Sequence, residues 1–185
     1  MKISEADILI APGLGNSGPD HWQRRWSSRM ANALVIEQAD WDNPLLADWV
    51  DRIYQEILLA TRPVVLIGHS LSVAAIVHTA QLRLKDTKVR GAFLVSPPDF
   101  EGESIPDEAR PFADVPTDPL PFPSLVVCST TDPLVSVYRA RGFAADWGSD
   151  FMLAGNAGHI NAESGHGPWP EGLLMFGELM KRLKA

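Results

Sequence analysis

Apolar positions fall into short unbroken runs that alternate with longer stretches of helical period. Residues 8–11 form the first run, which Pro12-Gly13 ends as a strand ends at a turn. Between residues 19 and 31 the apolar positions Trp22, Trp26 and Met30 recur every four residues, which predicts a helix. Residues 34–36 predict a second strand. Asn43 then offers an N-cap and Pro44 a first helical position, ahead of a stripe through Leu46, Trp49, Val50, Ile53, Ile57 and Leu58. Residues 63–68 predict a third strand, whose consecutive apolar residues suit burial on both faces. A helix over 71–84, a strand over 92–95, a strand over 125–128, a helix over 135–147, a strand over 150–153 and a helix over 172–184 complete the pattern.

This alternation predicts an α/β fold: three layers, with a mainly parallel six-stranded sheet covered by helices on both faces. Residues 97–123 break the rhythm and carry eight of the 15 prolines. Beyond residue 123 the chain resumes the alternation, so the stretch reads as a surface loop within one domain spanning residues 1–185. Its position after the fourth strand allows it to cover part of a site or to form a contact surface. A chain of 185 residues is long enough to bury a full core without disulfides or metals.

The net charge is −7. Basic residues cluster only at Arg24, Arg25 and Arg29 and at Arg83, Lys85, Lys88 and Arg90, which suits solvated helix faces and argues against nucleic acid as a partner. The one cysteine, Cys128, lies in a strand and reads as a small core residue. No Cys/His cluster has metal spacing, so neither metal nor cofactor is expected. The acidic start lacks the features of a signal peptide, and no apolar run is long enough for a membrane span, so a cytoplasmic location is expected.

The third strand runs straight into Gly68-His69-Ser70-Leu71-Ser72 and then a helix. That is a near match to the strand–turn–helix motif G-x-S-x-G, in which a strained turn projects a serine hydroxyl at the carboxyl edge of a sheet. Ser72 stands where the motif has its second glycine. A nucleophilic serine needs a base, and the base needs an orienting carboxylate. Asp132 follows the fifth strand and His159 the sixth, so both lie in loops on the same sheet edge as Ser70. His166 is the rival base, but it lies farther from its strand. His69 packs or hydrogen-bonds beside Ser70, His78 reads as structural, and His21 packs or lines the site. Two backbone amides are expected to hold a developing oxyanion. One belongs to Leu71, at the helix start. The other comes from the loop after the first strand, where Leu14 is favoured over Gly15 and Asn16. Gly15, Asn16, His69 and Trp169 are the expected substrate contacts.

The same loop, Gly13-Leu14-Gly15-Asn16-Ser17-Gly18, also fits the dinucleotide pattern G-x-G-x-x-G, with Glu37 or Asp40 as the ribose acid. That reading leaves Ser70, Asp132 and His159 without a purpose.

The segments ILIAPGLGNSGPDHWQRRW, VVLIGHSLS, TTDPLVS and GNAGHINAESGHGPWPEG, spread over nearly the whole chain, resemble the small serine hydrolases of the α/β-hydrolase superfamily. The YdeN-like and retinoblastoma-binding protein 9 families typify that group. The resemblance implies a Ser-Asp-His triad, carried onto Ser70, Asp132 and His159, and a compact core without a large cap domain. The expected activity is cleavage of an ester, thioester or amide bond of a small acyl substrate. An ester is preferred because an alkoxide leaves more easily than an amine. The rival is a binding protein on a hydrolase fold, with weak or vestigial catalysis and a protein partner.

Overall fold

The computed structural model describes residues 1–83 and 88–184. Six strands form one parallel sheet: β1 (Asp7–Ala11), β2 (Ala33–Val35), β3 (Val64–His69), β4 (Val89–Val95), β5 (Ser124–Cys128) and β6 (Asp150–Leu153). Among the described residues, five α-helices flank it: α1 (Trp22–Ser27), α2 (Leu46–Leu59), α3 (Leu71–Arg83), α4 (Val137–Asp146) and α5 (Pro170–Arg182). The expected helix end at Leu84 and the basic residue Lys85 lie outside the described residues.

Period-two alternation along each strand sorts the core into two layers. Leu9, Leu66, Leu94 and Val126 face one way, onto Trp49, Ile53 and Ile57 of α2 and Ile76 and Val77 of α3. Ile8, Ile10, Val65, Ile67, Phe93 and Val127 face the other way, onto Trp22 and Trp26 of α1 and Phe176 and Leu179 of α5. All six residues of β3 are buried, as its unbroken apolar run requires. Among the described residues, no helix is long and apolar enough to cross a membrane.

The strand order is β2-β1-β3-β4-β5-β6. The chain leaves β1 toward β2 on one side and runs from β3 through β6 on the other. The order therefore reverses between β1 and β3. In open parallel sheets, ligands bind outside the carboxyl ends of the strands at such a reversal.

Several boundaries differ from the sequence reading for local reasons. The Asp40 carboxylate accepts the amides of Asp42 and Asn43, so Asn43 sits in a turn and α2 starts at Leu46 after Leu45. The first helix is only six residues long: the hydroxyls of Ser27 and Ser28 donate to the carbonyls of Arg24 and Arg25 at its end. The last helix starts two residues early, at Pro170, a residue suited to the first helical turn. The fourth strand begins at Val89, with a register shift between Val64 and Val65 on β3.

The Pro-rich stretch is not bare loop. It contains a 3-10 helix, Asp107–Phe112. Its Ile105, Ala109, Phe112, Leu120 and Phe122 are buried in the α2/α3 layer of the core.

Candidate active site

The tight turn from β3 into α3 sets the geometry. Ser70 has φ 56°, a left-handed conformation that costs an L residue with a Cβ roughly 1–2 kcal/mol. Its amide donates to the carbonyl of Val95 on β4 at 2.9 Å, which holds the strained residue at the sheet edge. Two residues earlier the space is tight: a Cβ on Gly68 would fall 2.7 Å from Ile76 Cδ1, 3.3 Å from Ser72 Oγ and 3.4 Å from Val73 Cα on α3.

Ser72 is fully buried and takes over ties that a glycine could not make. Its hydroxyl accepts the His69 amide at 2.9 Å and reaches the carbonyls of Ala11 at 2.6 Å and His69 at 3.0 Å. The departure from the motif therefore fastens the turn to the end of β1.

Three side chains from three loops meet at this edge. His159 Nδ1 lies 2.9 and 3.0 Å from the two carboxylate oxygens of Asp132. A carboxylate only accepts, so Nδ1 carries the hydrogen and Nε2 is left as an acceptor. Ser70 Oγ lies 2.8 Å from that Nε2 and donates to it. The Asp132 side chain is fully buried and that of His159 is 12% exposed, so the chain of bonds runs from the interior to the surface. The rival His166 pairs instead with Ser164 Oγ.

Loop 12–18 passes directly over the turn. A Cβ on Gly13 would lie 2.9 Å from Ser70 Cβ and 3.5 Å from the Leu71 nitrogen. The amides of Gly15 and Asn16 are committed to the carbonyls of Trp41 and Gly13, which leaves Leu14 as the candidate donor of this loop. The short helix α1 holds the loop in place. Gln23 donates to Ala11 O and accepts from Ser17 Oγ, while Arg24 bridges Ser17 O, Asn16 Oδ1 and Glu37. Sequence reading missed Gln23 and Arg24, because a buried glutamine on so short a helix has no periodic signature.

A cavity of about 320 Å³ opens onto these groups, lined by residues 13–16, Gly18, His21, His69, Ser70, His159 and residues 161–163. The expected oxyanion donor Leu14 and the expected contacts Gly15, Asn16 and His69 line it, and so do Asn161, Ala162 and Glu163, which the sequence reading did not single out. None of residues 97–123 lines it. That segment instead walls a separate groove of about 530 Å³ against α4.

Trp169 is not at the cavity. It is 3% exposed and packs among Trp22, Trp26, Phe93 and Phe176 beneath α1 and α5. Its indole lies 5.8 Å from that of Trp26, nearly parallel to it. Nearness to His159 along the chain suggested a substrate contact, but its place at the start of α5 turns it into the core. Trp169→Ala is therefore expected to cost about 3–5 kcal/mol in chemical denaturation. KM measured on the folded fraction should stay unchanged.

Two further histidines back His159. His69 Nε2 donates to the His159 carbonyl at 2.8 Å. Burial, and then the neighbouring His159 and His21, hold the His69 imidazole well below its ordinary pKa. His21 caps α1, its Nδ1 accepting the Gln23 amide. Burial, with His159 nearby, lowers its pKa from 6.5 to about 4. The unfolded chain thus binds a proton at this residue between those values and the folded protein does not. The stability linked to His21 is complete above pH 6.5 and is lost as pH falls toward 4. Between pH 7 and pH 5 this amounts to about 2 kcal/mol. His21→Asn keeps a capping acceptor without a titrating ring. Urea melts of this variant should show a pH dependence flatter by that amount.

Elsewhere, Cys128 is buried, with its thiol pushed up to about 11 by burial and by Asp132. Glu37 pairs with Arg24, and Asp40 closes its own turn. Loop 13–18 enters α1 only at Trp22 rather than directly, so the dinucleotide pattern has no helix start at its last glycine.

Comparison with known proteins agrees with this architecture. A sequence-family model for serine hydrolases matches residues 8–178. The chain is 36% identical to a YdeN-like hydrolase from Pectobacterium atrosepticum, with 97% of this chain and 93% of that one covered and a TM-score of 0.85. The ydeN gene product of B. subtilis is 18% identical, over 96% of this chain and 100% of that one, with a TM-score of 0.79. An esterase domain from a Rhodothermus marinus protein shares the fold at 14% identity, over 96% and 87%, with a TM-score of 0.67. No curated protein matches the chain.

Proposed function

Since this chain belongs to the serine hydrolase family, we propose that it cleaves a carboxylic ester of a small acyl group through an acyl-enzyme on Ser70. The observation that carries this reading is the unbroken hydrogen-bond path from Asp132 through His159 to Ser70, ending at an open cavity.

Ser70 Oγ attacks the carbonyl carbon as His159 Nε2 takes its proton. Asp132 keeps the imidazole in the tautomer that can accept, and stabilises the imidazolium that forms. The amides of Leu71 and Leu14 receive the oxyanion of the tetrahedral intermediate. One such donor is worth about 2.7–4 kcal/mol. The intermediate collapses as His159 returns the proton to the departing alkoxide. Water, deprotonated by the same imidazole, then attacks the acyl carbonyl and frees Ser70.

An ester is favoured over an amide for two reasons. Alkoxide is the better leaving group, and the Pro-rich segment that could have formed a cover packs on the α2/α3 face instead. The modest cavity favours short acyl groups. Matched p-nitrophenyl esters of two to eight carbons and the corresponding p-nitroanilides test this directly. The expected result is ester turnover that declines with acyl length, with the anilides much slower. Equal anilide turnover, or none with any ester, would overturn it.

A further inference from the structure

We propose that Ser129, assisted by Thr131, is a positioning residue that sets His159 against Asp132. This inference rests on the hydrolase reading above, and deepens it.

Asp132 and His159 lie on loops that leave the ends of two neighbouring strands, β5 and β6. Past the strand ends two backbone bonds carry the pairing on, from the Ala154 amide to the Cys128 carbonyl at 2.9 Å and from the Thr130 amide to the Gly155 carbonyl at 2.8 Å, and they stop short of Asp132 and His159. Nearer the pair, side chains tie the two loops together. Ser129, the first residue beyond β5, is 1% exposed. Its hydroxyl accepts the Ala157 amide at 2.9 Å and the Thr131 amide at 3.1 Å, and donates to the Gly155 carbonyl at 3.2 Å. A serine hydroxyl has one hydrogen and two lone pairs, and all three are used here. Thr131 Oγ1 accepts the Gly158 amide at 3.1 Å. Thr130 adds its own amide and hydroxyl to the Gly155 carbonyl.

These bonds are local to the acid–base pair. Thr131 precedes Asp132, and Ala157 and Gly158 precede His159. The Ser129 and Thr131 hydroxyls therefore fix the backbone that carries the base to the backbone that carries the carboxylate. His69 holds the far side, through the His159 carbonyl. Without Ser129 Oγ, the buried Ala157 amide and the part-buried Thr131 amide lose their acceptor, and the base loop must move to find another.

The test uses Ser129→Ala, Thr131→Val and Thr131→Ser in the full chain. Thr131 is exposed, so its variants fold even where Ser129→Ala does not. Two quantities are read: kcat and KM for p-nitrophenyl acetate, and the downfield proton NMR signal of His159 Nδ1–H, identified by its loss in His159→Ala. Displacement of a catalytic group by about 1 Å costs up to about 100-fold. Ser129→Ala is expected to lower kcat by about 10- to 100-fold with KM within about twofold. Its downfield signal should shift or broaden. Thr131→Val should show a smaller effect in the same direction, and Thr131→Ser should restore both readings. Wild-type kcat and an unmoved signal in the folded variants, whatever their melting temperature, would overturn the proposal. The NMR reading is independent of turnover: displaced signals in a protein that cleaves no ester would support the positioning role while the hydrolase reading fails.

Discussion

Replacing Ser70 by alanine is expected to lower kcat/KM for an activated ester by about 10⁴-fold or more, with the fold unchanged. The loss is large because in the proposed mechanism Ser70 Oγ is the atom that bonds to the acyl carbon. The nearby hydroxyl of Ser72 is fully buried and already engaged with Ala11 and His69. Alanine also keeps a Cβ in the left-handed turn, so the strain at φ 56° remains and stability changes little. His159→Ala should cost about as much alone, and the double variant little more than either. Residues that act as one unit lose their effect together. A double variant whose loss is the product of the two single losses would show that Ser70 and His159 act separately. Initial rates with p-nitrophenyl acetate, with thermal melts to confirm folding, measure all three.

Asp132→Asn is the second large effect, about 10³–10⁴-fold in kcat. The substitution is nearly isosteric and the Asp132 side chain is fully buried, so packing is kept. The change lies in the hydrogens. The carboxylate accepts from His159 Nδ1–H at 2.9 and 3.0 Å. An asparagine amide turned toward that nitrogen would donate instead, which moves the imidazole hydrogen to Nε2. The ring could then no longer accept from Ser70 Oγ, now 2.8 Å away. Near-wild-type kcat in this variant would mean that Asp132 does not orient the base. The melting temperature should move little, since the Leu134 amide keeps an oxygen acceptor at residue 132.

The parallel sheet was legible because its signal is long and redundant. Six strand segments, all but the fourth and fifth separated by helical stretches, allow few other folds, and the buried run at residues 64–69 marks a central strand by itself. Ser70, Asp132 and His159 were placed on one sheet edge by the same logic, since each follows its own strand. Trp169 was misplaced because closeness in sequence stood in for closeness in space. Its backbone, at φ 41°, turns the indole inward before α5 begins. The start of α2 was read from Asn43 and Pro44, yet the Asp40 carboxylate had a competing use for the Asn43 amide. The ties made by Ser129, Thr131, Gln23 and Arg24 were not legible at all. Each joins a side chain to backbone that only the folded chain brings near, and single polar residues in loops carry no period.

The proposed mechanism stands on Ser70 being an activated nucleophile. The measurement that tests this most directly is reaction with a fluorophosphonate, followed by intact-mass and peptide mass spectrometry. The predicted result is one adduct per chain, on Ser70, absent in Ser70→Ala and strongly slowed in His159→Ala. No adduct on the folded protein, or an adduct at another residue, would contradict the mechanism and turn attention to a binding role for this fold.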